Sequence, residues 1–549
     1  MKDGTRVPSQ LYRNARIFSA GVKPHADAML VEQGRIAYIG DESSARRIAS
    51  FDVEVIDLEE STVLPGFVDG HAHVVGTGEA AGQVNLWGAD DVAEIQRRIK
   101  QWGDQNPDAP RIIAQGWNHA SIPDGMPTRQ MLDVVSDRPI YATAYDFHSI
   151  WLNSAALIDA EIGDETVSPA GGSVHRDSDG HPTGYIDETA MHRLVWPVLN
   201  ALVDDEQRDL ALATVLELYR QSGVTASTDM ALTEEDLAAF VRAEDLGTLT
   251  SRIAAFWRIQ WSDDPAEALR QVGDVARMAL RHNSPFLRVV GIKIMVDGTV
   301  DGCTAALGHP YSDGTNANPI WSIEDLAPVV AAADAAGLQV AMHAIGDEAI
   351  RVAIGSIEYA VSVNGARSRR HRIEHLEVVG PDEIERLAAL GITASMQPVH
   401  ADPAIQENWR ARLGDARINR GFPWPEMTQA GARLVFGTDS PTSPHSPLPN
   451  MFVAATRRSA LDPSLPANIA AFALPLEEAI VHATRDAAWA CQGESSYGSL
   501  AAGLWADFIV LDRDIFGRPI DELLDARVIR TVVGGRTVHK VQGAEADRD

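Results

Sequence analysis

Cysteine is almost absent: Cys303 and Cys491 are the only two in 549 residues. Two thiols cannot build a disulfide framework or a thiolate zinc site, and they suit a reducing cytoplasm. Positive charge is also scarce. Lys and Arg number 47 against 77 Asp and Glu, a net charge of −30, which argues against a phosphate-tracking surface or a patch for anionic lipid. Nucleic acid and membranes are therefore not expected as partners. Long apolar runs are missing as well. The amino terminus, MKDGTRVPSQLYRNARIF, has no apolar core of signal-peptide length, and the most apolar stretch, 327–345, is broken by Asp334, Gly337, Gln339 and His343. A cytoplasmic protein is expected.

What is present is an ordinary globular composition, 45% hydrophobic and 23% charged, enough for a large core. Both ends read as short strands with turn punctuation: Leu11–Ser19, Ala28–Val31, Arg35–Ile39 and Val53–Asp57 at one end, Asp507–Leu511 and Val528–Val533 at the other, where Gly534-Gly535 signals a hairpin. The similar pattern predicts one small β-sandwich built from residues 1–65 and 491–549.

Between them an amphipathic helix repeatedly stops at a glycine before a short apolar strand, as in Gly223-VTASTD, Gly337-LQVAMH, Gly391-ITASMQ and Gly431-ARLVFGTD. With Phe67–His73, Thr250–Phe256, Leu287–Val296 and Arg370–Leu376 these make eight strands. The expected fold class is α/β, a (β/α)8 TIM-type barrel over 66–490 with functional residues at the carboxyl ends of its strands. Residues 77–200 interrupt the rhythm after the first strand and read as an inserted substrate or lid subdomain, with Val92, Ile95, Ile99 and Trp102 on one helix face.

The chemistry sits at the predicted strand ends. His71 and His73 close PGFVDGHAH, and at i and i+2 on a strand both imidazoles face the barrel interior. Alone, such a pair is more often two satisfied polar histidines. His343 and His375 end two further strands, and four histidines at three strand ends around one mouth read as a site for divalent ions, zinc suiting imidazole. Asp439, in GTDSP after the last strand, reads either as a helix cap or, near those histidines, as a ligand that also accepts a proton from water. Lys293 lies in an apolar strand. It is either paired with a carboxylate such as Asp297 or held neutral, in which state its amine can take up carbon dioxide to form a carbamate. Trp117, His148 and Trp151 in the insertion, with Asp297 and Gln397 at strand ends, are the candidate substrate contacts. His119 and His400 are further pocket candidates, and His371 reads as barrel lining.

PGFVDGHAH, KIMVDGT, HAIGD, HRIEHLE and GTDSP, with GWNHASIPDGMPTR and FHSIWLNSAAL in the insertion, occur in the order seen in the amidohydrolase superfamily. Essentially the whole chain resembles the amidohydrolase group that includes N-substituted formamide deformylases. The resemblance implies that His71, His73 and Asp439 hold one metal ion, that His343 and His375 hold a second, and that carboxylated Lys293 bridges them. The expected function is hydrolysis of a carbon–nitrogen bond other than a peptide bond, through metal-bound hydroxide, with Asp439 as catalytic acid and base. An apolar or aromatic small-molecule amide is the expected substrate if the tryptophans line the pocket. An ester, lactone or phosphotriester at the same site is the alternative reaction, and a non-catalytic acidic scaffold or regulator the alternative role. A homodimer is a candidate assembly.

Overall fold

The computed structural model describes residues 8–541, apart from 170 and 263. Eight parallel strands form a TIM-type barrel: β1 (Phe67–Ala72), β2 (Val224–Leu232), β3 (Arg252–Arg258), β4 (Leu287–Met295), β5 (Gln339–Ala344), β6 (Arg372–His375), β7 (Thr393–Met396) and β8 (Arg433–Phe436). Each strand pairs with the next in sequence, so the order around the sheet follows the chain. The connecting helices lie where the sequence places them. Ser322 caps Ile323–Ala335 by accepting from the Asp325 amide, and Pro381–Ala389 buries Ile384 and Leu387. Gly223 ends the helix Asp205–Ser222 at φ 82, a left-handed turn that leads directly into β2.

The ring closes between β8 and β1 just past the end of the last strand. The Asp439 amide donates to the His71 carbonyl at 2.6 Å, and the His73 amide to the Ser440 carbonyl at 2.8 Å. This seam needs two glycines. A Cβ on Gly70 would stand 2.5 Å from the Phe436 carbonyl oxygen, and one on Gly437 only 2.3 Å from the His71 amide nitrogen.

The stretch between β1 and β2 contains a six-stranded sheet of its own, ordered 174–176, 182–187, 149–152, 140–144, 112–117 and 84–85. Helix Val92–Gln105 covers it with Ile95 and Ile99. At the chain ends, strands Phe508–Leu511, Val528–Val533 and Arg536–Lys540 share a sheet with Thr62–Pro65, Arg16–Phe18 and His25–Ala26. A four-stranded sheet of the first sixty residues faces it, and Tyr12, Met29 and Val31 pack with Val63, Phe508 and Val532. The single strand expected over Leu11–Ser19 is two strands in two sheets, because the chain turns at Asn14 with φ 52. Buried Arg252 on β3 joins barrel to end sheet through Asp507 at 2.6 Å. Among the described residues no helix is long and apolar enough to cross a membrane.

Candidate metal centre

His71 and His73 leave β1 toward the mouth, and the Asp439 carboxylate enters from the far side of the seam. Asp439 Oδ1 lies 3.3 Å from His71 Nε2 and 3.2 Å from His73 Nε2. Asp439 adopts φ 58, a backbone state that costs energy for a non-glycine residue and that the seam's amide bonds hold in place. Its side chain caps no helix, so the capping alternative falls away. Buried Asp69 on β1 supports both loops, accepting from the His71 amide at 3.2 Å and from the Thr438 amide and hydroxyl at 2.8 and 2.6 Å.

The tautomer of each ring follows from its other nitrogen. His71 Nδ1 is 2.6 Å from Glu374 Oε2, so its proton sits there and Nε2 presents a lone pair to Asp439. His375 Nδ1 meets Gln397 Oε1 at 2.7 Å, which leaves Nε2 as its donor atom. His343 gives Nε2–H to the Gly298 carbonyl at 3.1 Å, leaving Nδ1 free. The rings crowd together: centroids of His343 and His375 are 4.5 Å apart, and those of His71 and His375 5.0 Å. Burial pushes the pKa of His343 and of His375 well below the ordinary imidazole value, so both are neutral, the form that binds metal.

Lys293 on β4 is buried, with Nζ 3.4 Å from His71 Nε2. Burial pushes its pKa down to about 8, against the pull of Glu374 and Asp439. The alternative pairing with Asp297 is not made. Asp297 accepts instead from the amides of Ala306, Ile345 and Gly346 at 2.9–3.0 Å, and burial raises its pKa to about 8. It lies 3.6 Å from His343 and supports that imidazole from behind.

The donor set is what a cation requires. Asp439 Oδ1 is buried without a hydrogen-bond partner, facing two imidazole nitrogens, one of them a lone pair by the hydrogen bond behind it. A lone pair on His71 Nε2 and an unpartnered buried carboxylate oxygen turned toward one point are donors that a divalent ion placed there would satisfy. A sequence profile of the amidohydrolase family matches residues 54–539. The chain belongs to the amidohydrolase family.

This amidohydrolase is 28% identical over 536 residues to N-substituted formamide deformylase of Arthrobacter pascens, covering 93% of this chain and 94% of that protein. It is 32% identical over 438 residues to the exoenzymes regulatory protein AepA of Pectobacterium carotovorum subsp. carotovorum, covering 77% and 92%. Among solved structures, an uncharacterized metal-dependent hydrolase from Pyrococcus horikoshii OT3 has a TM-score of 0.74 at 26% identity, covering 93% of this chain and 98% of that one.

Of the expected substrate contacts, the amidohydrolase brings three to the cluster. His148 packs its ring 4.9 Å from that of His343 and pairs Nδ1 with Glu188 at 2.9 Å. Burial works against that charge, but Glu188 outweighs it and the His148 pKa rises to about 9. Asp297 and Gln397 are the supports of His343 and His375 already described.

The two tryptophans are elsewhere. Trp117 and Trp151 are fully buried in the insertion's own core, their rings 6.0 Å apart, with the indole N–H groups donating to the carbonyls of Ala142 and Thr128. A satisfied indole inside an apolar cluster fills space and lines no pocket. His371 is also remote. It bonds Asp334 at 3.1 Å and accepts from the Val340 amide, at the amino end of the strands.

Sequence reasoning passed over Glu374, which sits between His71 and Arg372 in HRIEHLE. Burial opposes its ionisation, yet Arg372 and His71 outweigh that and hold its carboxyl well below the usual range. The available signal was a carboxylate two residues after an arginine on one barrel strand, where both side chains share a face. Glu377 and His400 form a further group with His375. His400 Nδ1 is 3.2 Å from Glu377, and its ring stacks on that of His375 at 5.9 Å.

Proposed function

We propose that the protein is a metal-dependent hydrolase of the carbon–nitrogen bond of a small-molecule amide, with Asp439 as proton carrier. The observation that carries the reading is the buried, unpartnered Asp439 Oδ1 between His71 and His73. His71, His73 and Asp439 would hold one divalent ion, and His343 and His375 a second. Lys293, in carboxylated form, would bridge them, and zinc is the ion these nitrogen and oxygen donors suit. Ions held there supply Lewis acidity toward a carbonyl and bring the pKa of water near neutrality.

The chain's own residues do the rest. Asp439 takes the proton of the attacking water and passes it to the leaving nitrogen, a group that departs poorly as an anion. His148, kept cationic by Glu188, sits beside His343 and favours negative charge growing on the carbonyl oxygen. Asp69 and Glu374 fix the carboxylate and the imidazole in their reacting orientations.

The insertion over 77–200 would choose the substrate while the barrel supplies the reaction, and the two end sheets, read as one β-sandwich, brace the barrel. The preference for an apolar or aromatic amide rested on Trp117 and Trp151 and is set aside with them. Cys303 and Cys491 are free thiols, in keeping with a cytoplasmic protein, and a homodimer acting on a small molecule completes the proposal. A likeness to a protein named as a regulator brings the non-catalytic role back into view; the intact ligand set argues against it. The test is turnover by the metal-loaded protein of a panel of amides, esters and phosphotriesters. Hydrolysis confined to esters or phosphotriesters would overturn the amide reading, and no turnover at all would favour the regulator.

A further inference from the structure

The mouth of the barrel holds a cation for which the metal cluster has no use. Arg258 is the last residue of β3, at the carboxyl end where barrel sites form. It stands in register with Lys293 on β4, and register partners on neighbouring strands point to the same face, so the guanidinium follows Lys293 inward. Lys293 feels its charge in turn. Arg258 is half-buried, and among the described residues its side chain makes no hydrogen bond and no ion pair. Desolvation draws its pKa down to about 10, which leaves it fully charged at neutral pH. A partly dehydrated guanidinium with its donors unused is costly unless something arrives to fill it.

A second polar side chain without a partner lies within reach of its charge. His192 lies in a π-helical turn, Met191–Val195, of the insertion; such turns recur at functional sites. Its Nδ1 is buried with no partner, and its surroundings include Arg258, His148 and His73. Of the acids in this part of the insertion, Asp187 pairs with His175 at 2.6 Å and Asp146 with Thr299 at 2.8 Å, while Glu188 gives Oε2 to His148 and keeps a buried Oε1 without a partner. Glu188 is the carboxylate whose charge reaches Arg258, yet it stays beyond ion-pair distance.

We propose that Arg258 and His192 form an anion-binding subsite, and that the substrate is an amide carrying a carboxylate which this pair holds while the amide lies over the metal ligands. The planar fork of Arg258 matches a carboxylate in two parallel hydrogen bonds, and His192 adds a donor from the insertion side. Barrel and insertion thus grip one group from two directions, which orients the scissile bond and gives the insertion its part in specificity. The proposal rests on the amide-hydrolase reading, and the test separates the two.

Matched pairs of N-acyl amino acids and the N-acyl amines that lack only the carboxylate are assayed with the metal-loaded enzyme. The carboxylated member is expected to win in kcat/KM by on the order of 10- to 100-fold, the worth of a charge-assisted hydrogen bond. Arg258→Met brings that ratio toward one, Arg258→Lys keeps part of it, and His192→Asn lowers it less. Exposed Arg193, which donates to the Trp261 carbonyl, is the control: Arg193→Met leaves the ratio as it was. Calorimetry with glutarate, which cannot be hydrolysed, reads the subsite without turnover, and Arg258→Met is expected to bind it at least about tenfold more weakly.

A wild-type ratio near one, a ratio untouched by Arg258→Met, or equal glutarate binding overturns the subsite. So does a preference for N-acyl diamines, which would mean that the acids of the insertion govern recognition. If neither member of any pair is hydrolysed while glutarate binding still depends on Arg258, the subsite stands and the amide reading falls.

Discussion

Glu374 Oε2 receives the Nδ1–H of His71 at 2.6 Å while its other oxygen takes the Arg372 guanidinium at the same distance. One buried carboxylate therefore sets the tautomer of His71 and neutralises the Arg372 guanidinium. Glu374→Gln keeps the shape and removes the charge. Metal affinity should fall by about 10- to 100-fold, the usual cost of losing a partner behind a ligand. Stability should fall by roughly 3–5 kcal/mol as Arg372 is left unpaired. Metal titration and thermal melting check both; a variant with wild-type values would show that the bond behind His71 has no bearing on the ligand.

Chelation should abolish activity, and divalent metal should restore it. Elemental analysis of the untreated protein is expected to find up to about two ions per chain, with zinc favoured. His71→Ala and His343→Ala should lower metal content and rate together. Full activity in protein stripped of every detectable ion would contradict the metal role.

Asp439→Asn should reduce kcat by on the order of 10²- to 10⁴-fold, the contribution typical of a positioned proton carrier. The melting temperature should change little beside that, since the amide fills the same space. Rates within a factor of a few of wild type would remove Asp439 from the proton path.

Stability should depend on pH through His148. Its pKa is raised in the folded protein from the ordinary 6.5 to about 9, so the folded state binds the extra proton more tightly than the unfolded chain. The stabilisation is complete below about pH 6.5 and is lost as pH rises through 9. Glu188→Gln should flatten the melting temperature across that window, and an unchanged slope would disprove the coupling.

Trp117→Ala and Trp151→Ala should behave as core truncations. Each is expected to cost about 3–5 kcal/mol and to lower kcat/KM evenly across a substrate series, in step with the melting temperature. Selective loss for one substrate without a change in melting would return these residues to the pocket.

The barrel was legible because its signals are local. A helix, a glycine and an apolar strand recur within some twenty residues, and period-two alternation aims His71 and His73 together. The clustering of His343, His375 and Asp439 with that pair was legible because strand ends share one mouth in this architecture. Trp117 and Trp151 misled because an aromatic residue near glycine and histidine looks the same in a pocket wall and in a small sheet's core; only the tertiary partners, Ala142 and Thr128, tell them apart. Glu374 and Arg258 were missed for a related reason. Their roles are set by partners distant in sequence, His71 for Glu374 and the lack of a bonded acid for Arg258 among the described residues, which the neighbouring sequence does not specify.

The seam that joins β8 to β1 also dictates when the site comes into being. His71 and Asp439 stand at opposite ends of the barrel's sequence, and the amide bonds between their backbones are the last links of the ring. A chain still emerging from the ribosome can carry all four histidines and the lysine and yet have no finished pocket for an ion, because the carboxylate arrives with the final strand. Under the proposed function, ion capture by His71, His73 and Asp439 would thereby be tied to completion of the ring. A fragment that ends before residue 433 would lack the carboxylate of the His71–His73–Asp439 group, so metal held by that group would report a completed barrel.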